Sequence, residues 1–478
     1  MNKYSPALTR IARPASAQSP AQASVRDCVP ESMQLHSDDA SHKPYHALLI
    51  GHSEELLRAF PTLLDRAGFV VDVLTSASRF EQNYRSYRNN SRSRNNHGKV
   101  RQVIQVSLPE DLVTASLHLD LNQYDLVVIG DDKTLREIMA ADVSAAMKLR
   151  LLPVYSEHGF RHIGSKIGLS EVLQDAGIPT PRFTVVRDEG ELDALVKNLT
   201  EPVMLKIDQS GGGSGVFLLD TGRSGSGQSD ADQPGPLEVI EMLKGRQLVY
   251  PLLAQQRIQG DVLDLSSFYQ HGELICTSYS VFEAVVRCSY GPSSVRQYSQ
   301  LSTVNENVFE LLRDLGRALS AHGFVNLTCM RESATGKLYV FEADMRASVW
   351  VDYGKYLGDD HAVAIRRYFD TGATLVSPVS HNPAFPEQVR IPFVYRLTPW
   401  EILTNAHQVW RYCQNQSVTR IAQYCMDFLW SAIKGHMTMF AVLHVKPWLK
   451  PAHWERLRSM RRSIRDWRSR TPRARFHR

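Results

Sequence analysis

The stretch VMLKIDQSGGGSGVFLLD, at residues 203–220, restricts the fold of this chain more than any other. Lys206 stands ahead of four glycines, and a second apolar run, 216–219, follows them. A Walker A loop needs its lysine after the last glycine, and a Rossmann fingerprint opens a helix after its glycines. Residues 216–219 are predicted as a strand, so neither phosphate loop fits. The sequence instead predicts a β-hairpin with Lys206 on its first strand and a glycine-rich tip.

Strands and helices alternate between residues 45 and 150. The predicted strands are 46–51, 69–75, 100–108 and 124–132. Such alternation indicates an α/β domain with a parallel sheet, in which ligands bind at the carboxyl ends of the strands. Asp131 and Asp132 end the fourth strand, where they either line a site or cap the next helix.

A mixed α+β domain is predicted for residues 151–375. A helix from Ser165 is expected to end at Gly177, because glycine favours the left-handed conformation that ends helices and Pro179 prevents a restart. The remaining elements are predicted as strands at 183–186 and 247–258, a helix at 304–322, and hairpin turns at His271-Gly272 and Thr335-Gly336.

Composition places the chain among soluble globular proteins. Its 478 residues allow about three domains of roughly 150 residues. The six cysteines form no C-x-x-C pair, which argues against a zinc site or a disulfide scaffold and suits the cytoplasm. No uncharged apolar run has the roughly 18 residues of a membrane span. Residues 1–44 lack the apolar core of a signal peptide and are predicted to be a disordered leader.

Five side chains suggest phosphoryl transfer. Lys166 and Lys206 supply positive charge for nucleotide phosphates. Glu342 and Asp344 stand two apart on a predicted strand, so they share a face and can offer carboxylate oxygens to Mg²⁺. Arg346 lies on that same face, where it can meet a γ-phosphoryl group or an acyl phosphate.

In this order, these features resemble the ATP-grasp enzymes over roughly residues 45–370. The resemblance implies a parallel-sheet pre-ATP-grasp domain followed by two α+β subdomains that clasp ATP, with the lid subdomain at about 183–250. The segment with the first phosphate-binding lysine is similar to SKIGLSEVLQDAGIPTP. The segment with the second lysine and the lid loop is similar to PVMLKIDQSGGGSGV, and the hinge under the adenine is similar to LVYPLLAQQRIQG. The implied ATP ligands are Lys166, Lys206, Gly211, Gly212, Gly213, Ser214, Gly215, Gln255, Gln256 and Ile258, with Asp261 or Asp264 at the ribose. The family hinge normally carries a glutamate where this chain has glutamines, but adenine contacts there are largely backbone.

NLTCMRESATGKLYVFEADMR is similar to the metal-binding hairpin of carbamoyl phosphate synthase, which ends in E-x-N-P-R. This motif implies Glu342 as a metal ligand and Arg346 as a catalytic residue. Asp344 replaces the usual Asn and keeps an oxygen ligand, while Met345 replaces the Pro. Thr328 stands where the family has Gln, Glu or Asp, and threonine is a poor metal ligand. Whether one metal ion or two bind here therefore remains open.

The implied reaction is that of an ATP-dependent carboxylate–amine or carboxylate–thiol ligase. ATP, with Mg²⁺ or Mn²⁺, phosphorylates a small-molecule acid to an acyl phosphate, an amine or thiol attacks it, and ADP and phosphate leave. Lys206 and Arg346 would neutralise phosphate charge. Arg287 and Arg296 either clamp a substrate carboxylate or are surface arginines. The alternative is an ATP-binding regulatory or scaffold protein with weakened catalysis, which the changes at Thr328, Asp344 and Met345 favour.

The region 376–478 lies outside the resemblance and is predicted to be helical with a basic tail. Apolar residues recur at helical spacing from Trp454 to Trp467, and ten arginines lie within 456–478. This amphipathic helix either docks on the protein or binds an anionic membrane surface, where the ligase would act on a lipid-linked acceptor. Nucleic acid is the least favoured partner. Since many enzymes of this kind are dimers, a homodimer is also expected.

Overall fold

The computed structural model describes residues 44–77, 80, 100–211, 213, 215–220, 241, 249–285, 292–375, 380–393, 397, 399–404, 406–412 and 425–426. The predicted leader (apart from residue 44) and the basic segment 454–478 lie outside these residues. In the part of the chain described here, no helix is both long and apolar enough to cross a membrane.

A parallel four-stranded sheet forms the first part of the fold, in the order β3-β2-β1-β4. Its strands are β1 (Tyr45–Gly51), β2 (Phe69–Thr75), β3 (Val100–Gln105) and β4 (Leu126–Ile129), and its helices are α1 (Glu54–Arg66), α2 (Asp111–Leu117), α3 (Asp132–Ala140) and α4 (Ala145–Leu151). β2 is apolar along most of its length and largely buried, as expected of a parallel strand covered on both faces. The predicted parallel sheet is confirmed, although β3 ends three residues early and leaves Leu108 52% exposed.

A small antiparallel sheet follows, in the order β5-β8-β6-β7. It contains β5 (Phe183–Val186), β6 (Val203–Ile207), β7 (Val216–Leu219) and β8 (Leu252–Gln256), with helix α6 (Glu189–Lys197). Leu192 of α6 is fully buried in an apolar cluster with side chains of this sheet. The glycine-tipped hairpin is confirmed as β6 and β7. The predicted strand 247–258 is too long: β8 begins only after Pro251, which has no N–H to donate to a neighbouring strand.

The largest sheet has six antiparallel strands in the order β13-β12-β9-β10-β11-β14. These are β9 (Gly260–Gln270), β10 (Glu273–Val285), β11 (Ser293–Ser299), β12 (Gly323–Glu332), β13 (Leu338–Asp344) and β14 (Gln388–Pro392), with helices α5 (Lys166–Asp175), α7 (Glu306–Ala318) and α8 (His361–Thr371). Both predicted hairpin turns are confirmed. His271 and Gly272 have φ values of 48° and 83°, the pair of positive values that a two-residue hairpin turn requires.

Helix α7 ends earlier than the predicted residue 322. Ser320 takes a left-handed φ of 49°, and the N–H of Ala321 donates to the carbonyl of Gly316, which closes the last turn. The sequence signal for the end was Gly323, but a serine takes the left-handed position three residues before it.

Strand β14 corrects the prediction of a helical region from residue 376. Val389 and Ile391 are buried while Gln388 and Arg390 are exposed, so the segment has the two-residue period of a strand. Pro392 ends it at the edge of the sheet, where a missing N–H is tolerated. The described residues beyond it include two short helices, α9 (Pro399–Thr404) and α10 (Ala406–Tyr412).

Candidate active site

Glu342, Asp344 and Arg346, at the end of β13, line one cleft. Arg346 donates from Nη2 to Asp344 at 3.1 Å, and from Nε and Nη2 to the two carboxylate oxygens of Asp132 at 2.7 Å each. Asp132 is the first residue of α3 in the parallel-sheet domain. This bidentate ion pair therefore joins the β12–β13 hairpin to a residue 214 positions earlier.

The two aspartates after β4 have separate roles, and the predicted helix cap is confirmed for Asp131. Asp131 caps α3 by accepting from the N–H of Thr134 at 2.9 Å, and it also accepts from the backbone N–H groups of His52 and Ser53. Asp132 instead extends towards Arg346. Sequence reasoning indicated Asp132 only by its position at the end of a parallel strand, and nothing in the sequence named its partner.

Crowding of negative charge sets the ionisation of this group. Burial raises the pKa of Asp344, and the nearby carboxylates of Asp132 and Glu342 raise it further, against the opposing charge of Arg346. Burial alone would lower the pKa of Arg346, but Asp344 and Asp132 outweigh that effect and raise it. Arg346 thus stays charged. In this group the carboxyl groups of Asp132, Glu342 and Asp344 outnumber the single arginine.

Lys206, on β6, is 7% exposed. Its Nζ donates to Oε1 of Gln255 at 2.6 Å and lies 4.9 Å from the ring centroid of Phe341. The Gln255 amide in turn donates to Ser170 Oγ at 3.0 Å. Burial lowers the pKa of Lys206 to about 8; Glu342 opposes this effect and Lys166 adds to it. Because Gln255 is neutral, its bond to Lys206 supplies no counter-charge, and the charged form of Lys206 can pair with an anion in the cleft.

Lys166, the first residue of α5, lies beside the loop that follows β6. Its Nζ donates to the backbone carbonyls of Asp208 and Ser210. The Asp208 carboxylate accepts from Ser165 Oγ and from the N–H of Ile167, and so ties the start of α5 to the same loop. Both predicted phosphate lysines therefore meet at the base of the glycine-rich tip, and both line the cleft.

Three glycines of the predicted tip lie within the described residues. Gly211 and Gly213 line the cleft, and Gly213 has a positive φ of 76°. Gly215 accepts from the N–H of Ile207 at 2.8 Å, and a Cβ there would collide with the side chain of Ser210. Gly212 and Ser214 lie outside the described residues, as does Arg287.

The cleft has a volume of about 870 Å³, towards the upper end of the range for small-molecule sites. One end is apolar and lies between the small sheet and the six-stranded sheet; it is lined by Met204, Val216, Leu218, Ile258, Met330 and Phe341. At the hinge, the N–H groups of Gln256 and Arg257 already donate to the carbonyls of Arg182 and Pro202. The apolar end suits a flat base.

The structure separates the two aspartates predicted at the ribose. Asp261 is bonded to Arg331 at 2.6 Å and is not among the residues that line the cleft. Asp264 lines the cleft but is 2% exposed, and its oxygens accept from Arg296 at 2.5 Å and from Asn326 at 2.9 Å. Neither placement favours a ribose contact, and both assignments stay predictions.

The donor set at the end of β13 fits Mg²⁺. Glu342 and Asp344 offer carboxylate oxygens on one side of the cleft, and Mg²⁺ in nucleotide sites is held by one or two carboxylates together with phosphate oxygens. Thr328 pairs with Glu342 across the two strands and also lines the cleft. In the described ranges, no group of three or more His, Cys, Asp and Glu residues is arranged so that it could hold a metal ion by itself. A metal here would therefore depend on the nucleotide for its remaining ligands.

The parallel sheet is followed by a small and a large antiparallel sheet, and two lysines meet an E-x-D-x-R hairpin between them. This is the arrangement implied by the sequence resemblance. The order of the sheets and the placement of these side chains agree with the ATP-grasp fold that the sequence resemblance implies.

Comparison with known proteins gives only local or distant likeness to this chain. No family model matches it. The phosphoribosylamine–glycine ligase of Streptomyces coelicolor is 33% identical over 98 residues, which is 20% of this chain and 23% of that protein.

Solved structures align more widely at low identity. The biotin carboxylase domain of the Hydrogenobacter thermophilus 2-oxoglutarate carboxylase, in complex with MgADP, ADP and bicarbonate, aligns with a TM-score of 0.49 and 14% identity over 73% of this chain and 74% of that one. An L-amino acid ligase from Bacillus licheniformis aligns with a TM-score of 0.44 and 16% identity over 68% of this chain and 74% of that one. The N5-carboxyaminoimidazole synthetase of Staphylococcus aureus aligns with a TM-score of 0.48 and 12% identity over 77% of this chain and 86% of that one. Since these TM-scores lie below 0.5, the assignment of the fold rests on the strand order and the site residues.

Proposed function

We propose that this protein is an ATP-dependent ligase that joins a small-molecule carboxylic acid to an amine or thiol through an acyl phosphate. The observation that carries the proposal is the meeting of Lys166, Lys206 and Arg346 with Glu342 and Asp344 in one cleft. Three cations suit a triphosphate, and two carboxylates on a shared face suit its magnesium ion. The partial match to a phosphoribosylamine–glycine ligase agrees with such a joining reaction.

In this proposal the side chains position charge and form no covalent bond with the substrate. Lys166 and Lys206 bind the phosphates, and each must give up a present partner: backbone carbonyls for Lys166 and the Gln255 amide for Lys206. Arg346 faces the transferred phosphoryl group and the acyl phosphate, held in place by Asp132. Preorganised charge of this kind stabilises the charge that develops in the transition state.

A bound Mg²⁺ would supply positive charge that offsets the negative charge of the phosphates. Glu342 and Asp344 are the residues that would hold it. The glycine-rich tip, anchored by Ser210 and Gly215, closes over the phosphates and excludes water, which would otherwise hydrolyse the acyl phosphate.

ADP release from purified protein, with ATP, Mg²⁺ and pools of carboxylic and amino acids, tests the proposal. The variant Glu342→Gln should lose at least about 100-fold in rate, since it removes a metal oxygen and a charge from the cleft. Glu310→Gln, an exposed site on α7 outside the cleft, is the matched control and should behave as the wild type.

Two results would contradict the ligase. One is ADP release that is the same in Glu342→Gln and in wild type. The other is Mg²⁺-independent ATP binding with no ADP from any pool, which would support the regulatory alternative.

A further inference from the structure

The part of the cleft that lies against β10 and β11 has its own wall. We call it the acid pocket and define it by Phe282, Val285, Ser293, Arg296, Val349 and Trp350. These residues come from the facing ends of β10 and β11 and from the segment directly after Arg346. The acid pocket therefore adjoins the carboxylates of β13, where an acid must meet the γ-phosphoryl group.

Arg296 is held rigidly in this wall. Its guanidinium lies 4.6 Å from the ring of Phe282 and 4.5 Å from that of Trp350, Nε donates to Ser293 at 2.7 Å, and Nη1 donates to Asp264. Arg296 and Asp264 are both buried, so their charges cancel locally. Arg296 thus orients the aromatic rings and adds little net positive charge.

The rest of the wall is apolar and partly open. Phe282, Val285 and Val349 are half-buried and line the cleft, and Trp350 lies behind them at 1% exposure. Apolar surface left facing water costs free energy that a ligand with an apolar group recovers. Arg296 and Arg346, which line this part of the cleft, are each already paired with an aspartate.

We propose, resting on the ligase function above, that the acid substrate carries an apolar group in place of a phosphate. Its carboxylate faces Arg346 and its apolar part packs on Phe282, Val285 and Val349. A phosphate at this place would lie against the apolar side chains of Phe282, Val285 and Val349, which offer it no hydrogen bond. Bicarbonate would leave the same wall in contact with water.

Calorimetric titration of the full-length protein with Mg²⁺ and a non-hydrolysable ATP analogue tests the pocket without turnover. The probes are 4-methylpentanoate, succinate and 3-phosphoglycerate. We expect 4-methylpentanoate to bind at least about tenfold more tightly than the other two, as apolar pockets discriminate by such factors. Equal binding, tighter binding of 3-phosphoglycerate, or no binding of 4-methylpentanoate would overturn the inference.

A filling variant locates the binding. Val285→Trp should weaken the binding of 4-methylpentanoate by about tenfold or more and leave the affinity for the ATP analogue unchanged. The matched control is Val363→Trp on α8, where the valine is 50% exposed and does not line the cleft. Unchanged 4-methylpentanoate binding in Val285→Trp would overturn the assigned place.

The two proposals fail separately. Binding of 4-methylpentanoate without ADP release when ATP and amines are supplied would remove the ligase and keep the pocket. ADP release that only phosphorylated acids stimulate would keep the ligase and remove the pocket.

Discussion

At the scale of single residues, Lys206 shows how environment sets function. Its type and its place before the glycines predicted a phosphate ligand, but its bond to Gln255 was not predicted, because the hinge glutamines were expected to act through their backbone. Burial beside a neutral amide makes the charged form of Lys206 costly, so its pKa falls to about 8. A phosphate that enters the cleft restores the missing counter-charge.

ATP binding should therefore depend on pH in a definite direction. Below pH 8 the free protein carries charged Lys206, and the affinity should be constant down to the range where ATP itself takes up protons. As pH rises through 8, free Lys206 loses its proton while bound Lys206 keeps it. Binding must then take up a proton, and the dissociation constant should rise up to about tenfold per pH unit. Fluorescence titration between pH 7 and 9.5 measures this; a flat profile would contradict it.

Gln255→Glu gives a second measurement at this scale. A carboxylate 2.6 Å from Nζ would hold the proton on Lys206 and move the loss of affinity to higher pH. Gln256→Glu is the matched control, because that side chain accepts from Arg182 at 3.2 Å and not from Lys206. The same midpoint in wild type and Gln255→Glu would argue against the Lys206–Gln255 contact.

At the scale of elements, local signals predicted what local chemistry decides. The two hairpin turns, the α5 helix and the parallel strands follow from glycine positions and apolar period. The errors lie where tertiary context decides. The β14 segment is only five residues long, and it is recognisable as a strand only from its pairing with β11. Helix α7 ends near Ser320, whose left-handed conformation the sequence alone does not indicate.

The glycine-rich tip supplies a prediction at this scale. Gly215→Ala should slow ADP release or raise the KM for ATP several-fold, because its Cβ would displace Ser210, whose carbonyl accepts from Lys166. At Gly211 a Cβ would meet no atom within 4 Å, so Gly211→Ala should be close to wild type. Steady-state kinetics compare the pair; equal effects would mean that the contact with Ser210 is unimportant.

At the scale of the whole molecule, the sequence predicted the members of the site but not all of their contacts. Lys166, Lys206 and Glu342 were grouped by their chemistry and then by a family resemblance, since no periodicity brings together residues so far apart. The bond between Asp132 and Arg346 spans 214 positions and depends on how the parallel sheet packs against the hairpin. Trp350, which also lines the cleft, was missed because it lies beyond Arg346, where the E-x-D-x-R motif ends.

The basic segment 454–478 remains a sequence prediction. Sedimentation with vesicles containing phosphatidylserine should retain the full chain and lose a variant truncated after residue 451, with the effect weakening at high salt. Vesicles of phosphatidylcholine alone serve as the control. Equal sedimentation of both chains would leave docking on the protein as the better interpretation.

The ion pair between Asp132 and Arg346 also bears on modularity. The parallel-sheet domain supplies little to the apolar end of the cleft, yet its Asp132 fixes Arg346, the arginine proposed to face the transferred phosphoryl group. Exchanging this domain for that of a relative would be a poor route to new specificity unless an acidic residue were kept at the start of α3. For recombination, the useful unit extends across the boundary predicted near residue 150.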